Sequence, residues 1–206
     1  MRYLALGDSF TIGTGTTPDR SFPAILASRW WDEGIKCDLR NPAVNGYTTA
    51  DLIREELPLV EAYGPDVVTV LIGANDIVGA MRDQAAVTTR AEERYRRQLG
   101  RIHDRIAAGA PKAARYGLPQ PDWSLTAGVS FGDPGAIAAS IERFNQIAKE
   151  EAERAGAVYV DIFPLMREQM RKGMTAPDGL HPSAEAYAQW ADALREPLRA
   201  SIEPSR

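Results

Sequence analysis

The chain has a single cysteine, Cys37, and two histidines, His103 and His181, among its 206 residues. One cysteine cannot form an internal disulfide bond. The alternation around Cys37 predicts a small side chain that is buried or half-buried, and not a reactive thiol. Two histidines that lie far apart in the sequence do not give the ligand spacing of a metal site, so we expect neither a metal ion nor another cofactor.

The chain also lacks a long apolar run and an excess of charge of one sign. No apolar stretch approaches the ~20 residues of a membrane span. Since the first predicted strand starts at residue 2, we expect no signal peptide and a cytoplasmic protein. The 24 Lys and Arg residues are mixed with 28 Asp and Glu residues, for a net charge of −4. This balance argues against nucleic acid as a partner.

The glycines do not form a nucleotide-binding loop. Gly13 and Gly15 follow the first predicted strand, but no third glycine completes the dinucleotide fingerprint. The Gly-Lys-Ser/Thr of a P-loop is missing as well. We therefore expect no nucleotide cofactor.

Strand and helix patterns alternate five times along the chain. Apolar runs predict strands at residues 2–6, 35–39, 66–72, 112–118 and 157–162. This alternation predicts one α/β domain over residues 1–206, with a parallel sheet in the order 2-1-3-4-5 and helices on both faces. The fourth strand has the weakest pattern, because Gly117 stands where an apolar residue is expected.

A glycine turn, Gly7-Asp8-Ser9, directly follows the first apolar strand. Open α/β sheets place their ligands at the carboxyl ends of the strands. A serine in this place is a candidate nucleophile if a base lies near it. The tripeptide alone is more typical of an ordinary turn.

Two further glycine turns carry candidate donors for a negatively charged oxygen. Gly46, in the turn Asn45-Gly46, either makes a plain connection or presents its backbone N–H towards Ser9. The third strand stops at Gly73-Ala74-Asn75-Asp76. Asn75 either forms the turn or donates its side-chain amide to an oxyanion.

The last loop contains Asp178 three residues before His181. In a curved loop this spacing lets the carboxylate reach the imidazole, fix its tautomer and leave the other ring nitrogen as a base. The same loop also fits a turn that caps the last helix through Ser183. Because the loop follows the fifth strand, it can fold back over the edge that carries the three glycine turns.

Taken in order, these four segments resemble the blocks of the SGNH hydrolase superfamily, also called GDSL esterases and lipases. The resemblance covers nearly the whole chain and rests on Gly7-Asp8-Ser9, on Gly46 with residues 48–52, on residues 73–76 and on residues 178–182. It implies a flavodoxin-like three-layer αβα sandwich and the hydrolysis of acyl esters through an acyl-enzyme.

The resemblance also implies a role for each site residue. Ser9 is the nucleophile, His181 the base and Asp178 the residue that orients it. The oxyanion hole consists of the Ser9 and Gly46 N–H groups and the Asn75 amide. An acyltransferase, a lysophospholipase or a thioesterase would use the same residues, and a non-catalytic binding module would keep the same fold.

The sequence also favours one kind of substrate. No lid-length apolar insertion and no membrane-binding amphipathic segment is visible, which favours a short-chain, soluble ester with the loop around Trp123 as a pocket wall.

Trp30 and Trp31 are expected to pack. A helix over residues 85–108 is expected to expose His103. It also carries an arginine stripe, which fits either an acidic partner or, as we expect, a solvated face paired with Glu92, Glu93 and Asp104; the arginines are at residues 90, 94, 97, 101 and 105.

Overall fold

The computed structural model describes residues 1–83 and 89–199. Its sheet is entirely parallel and has the order β2-β1-β3-β4-β5. The strands are β1 (Arg2–Gly7), β2 (Asp38–Arg40), β3 (Val67–Leu71), β4 (Ala114–Gly117) and β5 (Val158–Tyr159). The predicted sheet and its strand order are confirmed.

The helices lie in the connections between these strands and, after β5, in the C-terminal part of the chain. The α-helices in the described ranges are α1 (Ser9–Ile12), α2 (Phe22–Asp32), α3 (Thr49–Asp51), α4 (Pro58–Tyr63), α5 (Ala74–Asp83), α6 (Thr89–Gly109), α7 (Pro134–Arg154), α8 (Phe163–Arg171) and α9 (Ala184–Arg199). A π-helical segment, Leu52–Glu56, joins α3 to α4. Thr48 and Asp51 form a capping box at the start of this run.

Alternation along the strands separates the helices into two outer layers. The Tyr3 ring of β1 meets Trp30 of α2 edge-on at 5.6 Å. On the same face, the Tyr116 hydroxyl of β4 donates to the Leu198 carbonyl of α9. The next residue, Gly117, points to the other face, where it meets α7. The predicted three-layer αβα sandwich is therefore confirmed.

Gly117 explains the weak pattern of the fourth strand. A Cβ added there would lie 2.8 Å from the Ala152 Cβ of α7 and 3.3 Å from the Tyr159 ring. The absence of a side chain lets α7 approach the sheet closely. The position that breaks the apolar pattern is therefore a close contact between two layers.

Two helical side chains lie opposite to expectation. His103 was expected to be exposed but is 3% exposed, because α7 packs over that side of α6. Trp31 was expected to pack but is 57% exposed. It stands one residue, about 100°, beyond the buried Trp30 on the surface of α2.

The predicted pairing of the arginine stripe of α6 is found only in part, because Glu93 pairs with Arg97 whereas Glu92 and Asp104 pair with Arg143 and Arg154 of α7. Arg97 pairs with Glu93 at 3.9 Å and Arg105 with Glu61 of α4 at 3.2 Å. The predicted start of this helix, at residue 85, lies outside the described residues. Cys37 is half-buried as predicted, and burial raises the pKa of its thiol to about 11.

Candidate active site

The nucleophile candidate stands on a tight turn between β1 and α1. The Asp8 carboxylate accepts the Phe10 N–H at 3.0 Å and so caps α1. Ser9 is the first residue of that helix, so its N–H has no acceptor inside the helix. Gly7 is required here, because a Cβ would lie 2.3 Å from the Leu71 carbonyl oxygen.

Asp178 and His181 meet within one short loop. A bridge between Thr175 and Pro182 closes the base of the loop, and the Ala176 N–H donates to the His181 carbonyl at 2.7 Å. Inside it, Asp178 Oδ2 lies 2.7 Å from His181 Nδ1. This arrangement leaves His181 Nε2 as the ring nitrogen without the carboxylate.

The Asp178 carboxylate is also bound by the backbone of its own loop. Its Oδ1 accepts the N–H groups of Leu180 at 2.9 Å and His181 at 3.0 Å. Burial opposes ionisation of Asp178, but these hydrogen bonds and the one to the His181 ring outweigh it and lower its pKa. The group beside the imidazole is therefore an anion at neutral pH.

Asn75 has a defined amide orientation. Its Nδ2 donates to the Tyr47 carbonyl at 2.9 Å, which identifies the nitrogen and leaves it a second N–H. Gly46 adopts φ +90°, a left-handed conformation that favours glycine. Gly46 is exposed, and its neighbour Asn45 lines the pocket that Ser9 and Asn75 also line.

One pocket of about 110 Å³ brings most of the candidates together. Its polar lining includes Ser9, Asn75 and His181, and Asp178 stands behind the imidazole. The apolar lining consists of Phe10, Ala74, Val78, Trp123, Phe131 and Leu180. Trp123 is thus a pocket wall, as predicted.

Several wall residues were not predicted, although most have a sequence signal. Phe10 and Leu180 are direct neighbours of Ser9 and His181, and Val78 lies one helical turn beyond Asn75. Phe131 has no such signal. It reaches the pocket through the loop after Trp123, whose ring it meets edge-on at 6.3 Å.

Residues 5–189 match the GDSL-like Lipase/Acylhydrolase family. The chain belongs to this family. The match confirms the predicted family, which is one of carboxylic ester hydrolases.

Two curated relatives of this GDSL-family chain are distant from it in sequence. It is 27% identical over 208 residues to a GDSL-like esterase of Mycobacterium tuberculosis, a match that covers 97% of this chain and 62% of the relative. It is 29% identical over 75 residues to an arylesterase of Vibrio mimicus, covering 36% of this chain and 38% of the relative. The chain thus spans less than two thirds of the length of both.

Solved structures share the fold over almost the whole chain. A lipase/acylhydrolase from Enterococcus faecalis superposes with a TM-score of 0.75 at 18% identity, covering 100% of this chain and 98% of that one. An alpha/beta hydrolase enzyme from the metagenome of Lake Arreo, Spain, gives 0.75 at 21% identity, covering 98% and 96%. At these identities the likeness concerns the fold.

The described residues of this GDSL-family chain contain neither a candidate membrane-spanning helix nor a candidate metal-binding group. Within residues 1–83 and 89–199, no helix has the length and apolar character to cross a membrane. Over the same ranges, no group of three His, Cys, Asp or Glu side chains is arranged to hold a metal ion.

Two buried carboxyl groups near the nucleophile turn, Asp8 and Glu56, are not among the predicted site residues. Asp8 is 0% and Glu56 1% exposed. Burial raises the pKa of Asp8 to about 7 and that of Glu56 to about 8, and the charge of Asp8 adds to the rise at Glu56. The signal for Glu56 was present, since it stands four residues after the buried Leu52, on the apolar side of its helix.

Proposed function

We propose that this protein is a serine esterase that hydrolyses short-chain carboxylic esters through an acyl-enzyme. The observation that carries the proposal is that Ser9, Asn75 and His181 line one small pocket while Asp178 binds the far side of the imidazole. Family membership supports the reaction class. The division of roles among these residues comes from their chemistry.

In the first step, the Ser9 hydroxyl oxygen attacks the carbonyl carbon of the ester. His181 accepts the hydroxyl proton on Nε2, because Nδ1 carries the proton that is shared with Asp178. The Asp178 carboxylate stabilises the imidazolium that forms. His181 then returns the proton to the departing alcohol, which leaves Ser9 acylated.

In the second step, water replaces the alcohol. His181 takes a proton from the water as it attacks the acyl carbon, and the proton returns to the Ser9 oxygen when the acid leaves. Each tetrahedral intermediate carries a negative oxygen. We assign the Ser9 N–H, the Gly46 N–H and the second N–H of the Asn75 amide as its donors.

The pocket size supports a short acyl chain. A cavity of about 150 Å³ accommodates a benzene-sized ligand, and this pocket has about 110 Å³. Its apolar lining, with Phe131 and Trp123 on one side, suits a few methylene groups. An acetyl to butyryl group fits this space better than a fatty-acyl chain.

The test is hydrolysis of p-nitrophenyl esters from acetyl to decanoyl, combined with fluorophosphonate labelling. The parent protein should hydrolyse the short esters and carry one phosphonyl group on Ser9, as identified by peptide mass spectrometry. Ser9→Ala should lose the label and about a million-fold in kcat while it keeps its circular dichroism spectrum. A Ser9→Ala protein that retains most of the activity would refute the assignment.

The same assay separates hydrolysis from acyl transfer. With glycerol present, a hydrolase releases mainly the free acid, whereas an acyltransferase forms the glycerol ester from the same acyl-enzyme. Parallel assays with an acyl thioester and a lysophospholipid address the other two chemistries that this site permits. We expect free acid from simple esters as the main product.

A further inference from the structure

The three segments that carry the proposed oxyanion donors are joined behind the pocket by three buried carboxyl groups. Ser9 follows β1, Gly46 precedes α3, and Asn75 stands in the first turn of α5. The three carboxyl groups, here called the carboxyl triangle, are Asp8, Glu56 and Asp76, and they are 0%, 1% and 7% exposed. The reaction scheme above uses none of them.

Glu56 connects the Gly46 segment to the Ser9 turn. It lies at the end of the π-helical segment that continues α3, and its Oε2 accepts the Gly7 N–H at 2.9 Å. Gly7 is two residues before Ser9. A shift of this bond therefore moves the backbone that presents the Ser9 N–H.

Asp76 connects the Asn75 segment to the Gly46 segment. Its Oδ2 accepts the Thr49 N–H at 2.9 Å, and its Oδ1 accepts the Thr49 hydroxyl at 2.6 Å. Thr49 stands three residues after Gly46, and Asp76 is adjacent to Asn75. This two-point contact fixes the distance between the two segments.

Asp8 completes the triangle between the Ser9 turn and the Asn75 segment. Its Oδ1 accepts the Phe10 N–H at 3.0 Å. Because Gly7 pairs with Leu71 in the sheet, Asp8 follows directly beside the turn that contains Gly73, and the Gly73 N–H lowers the Asp8 pKa. Gly73 ends the connection from β3 to α5, two residues before Asn75. Glu56 and Asp76 thus each bond to another of the three segments, and Asp8 lies between the Ser9 turn and the turn before Asn75.

We propose that Asp8, Glu56 and Asp76 are positioning residues that set the spacing of the three oxyanion donors from behind the pocket. The proposal rests on the proposed function, because it concerns the donors of that reaction. Donors that stabilise an oxyanion must be held at hydrogen-bond distance before the charge develops. A displacement of one donor by about 1 Å is enough to lower the rate up to about a hundred-fold.

The protonation state of the triangle supports this role and makes it sensitive to pH. Glu56 Oε1 and Asp8 Oδ2 are buried and have no hydrogen-bond partner among the described residues. Unpaired buried oxygens favour the neutral carboxylic acid over the charged form. Burial also raises the pKa of Asp76, so all three groups are shifted in the same direction.

The charges around the triangle do not reverse this preference. Glu56, Asp76, Tyr95 and Tyr187 face Asp8, and none of them is cationic. Near Asp76, the charge of Arg94 lowers the pKa of the Asp76 carboxyl group and the charge of Asp51 raises it. As pH rises through about 8, Glu56 ionises beside Asp8, and the repulsion of two buried like charges should displace the turn.

The test compares Glu56→Gln with Glu56→Leu in the full chain. Glutamine keeps an oxygen for the Gly7 N–H but cannot ionise, whereas leucine removes the acceptor. The matched control is Glu151→Gln, a buried glutamate of α7 that pairs with Arg96 and Arg154. kcat and KM for p-nitrophenyl acetate are measured from pH 6 to 9.5 and normalised to sites titrated with fluorophosphonate.

We expect Glu56→Leu to lower kcat at pH 7 about tenfold or more with KM within about twofold, since a displaced donor affects the transition state. Glu56→Gln should keep the parent kcat at pH 7. It should also move the parent's decline in kcat above pH 8 to higher pH. Glu151→Gln should follow the parent throughout.

Two results would overturn the inference in an active parent enzyme. One is a Glu56→Leu protein whose kcat per titrated site equals that of the parent. The other, which decides the matter if the leucine variant does not fold, is a Glu56→Gln profile that superimposes on the parent profile up to pH 9.5. A parent that hydrolyses none of the esters would instead overturn the proposed function, and the inference with it.

Discussion

Asp178 holds both the ring and the backbone of His181. Its Oδ2 lies 2.7 Å from His181 Nδ1, and its Oδ1 accepts the His181 N–H at 3.0 Å. One carboxylate therefore fixes the imidazole and the loop that carries it. Gly15 lies against this loop. A Cβ added to Gly15 would lie 2.6 Å from the Ala176 Cβ and 3.4 Å from Asp178 Oδ2.

Asp178→Asn should lower kcat by about ten-thousand-fold, which is less than the loss in Ser9→Ala. The asparagine amide can donate to Nδ1 and so favours the tautomer whose Nε2 carries a proton and cannot act as a base. Steady-state rates with p-nitrophenyl acetate measure the effect. Asp192→Asn, which removes a surface ion pair with Arg29, is the control. A loss of less than about tenfold in Asp178→Asn would mean that the carboxylate does not orient the base.

Asn75→Ala should lower kcat by about a hundred-fold or more and leave KM nearly unchanged, because the amide acts on charge that exists mainly in the transition state. The change also removes the bond from Nδ2 to the Tyr47 carbonyl. Separate determination of kcat and KM on the acetyl ester tests the role. If only KM rises, Asn75 binds the substrate in its ground state.

Phe131→Ala should move the substrate preference from butyryl towards hexanoyl and octanoyl esters by opening one wall of the pocket. Phe131 is only partly buried, so its removal should cost less stability than removal of the buried Trp123. The measurement is kcat/KM across the ester series. Leu125→Ala, an exposed position in the same loop that does not line the pocket, is the matched control. An unchanged preference in Phe131→Ala would place the acyl chain elsewhere.

His103 should make the fold sensitive to acid. Burial lowers its pKa to about 4 from an ordinary value near 6.5, with a further contribution from Arg154 and Arg115. Because the folded state binds this proton less readily, stability is complete above pH 6.5 and falls as pH decreases towards 4. The loss is on the order of 3 kcal/mol.

Urea unfolding of the parent and His103→Gln at pH 7, 5.5 and 4 tests this expectation. The parent should lose more free energy of unfolding than the variant between pH 7 and 4, since glutamine takes up no proton in this range. Parallel losses in both proteins would show that His103 is not the group responsible.

The sheet, its strand order and the segments that form the pocket could be predicted from the order of the residues alone. Apolar runs that end in glycine define parallel strands, and right-handed crossovers leave few ways to order them. Residues that directly follow such strands must lie at one edge, which is why Ser9 and Asn75 could be proposed together. Asp178 and His181 could be paired because three residues of curved loop bring them within contact distance.

Which helical positions are buried depends on how the helices pack against one another and could not be predicted. Helical spacing shows which residues share a face, but not which faces another helix covers. For this reason His103, beneath α7, was expected to be exposed, and Trp31 was expected to pack although it faces outwards. The carboxyl triangle and the size of the pocket depend on distances between segments far apart in the sequence, and those distances are set by how the helices pack against the sheet.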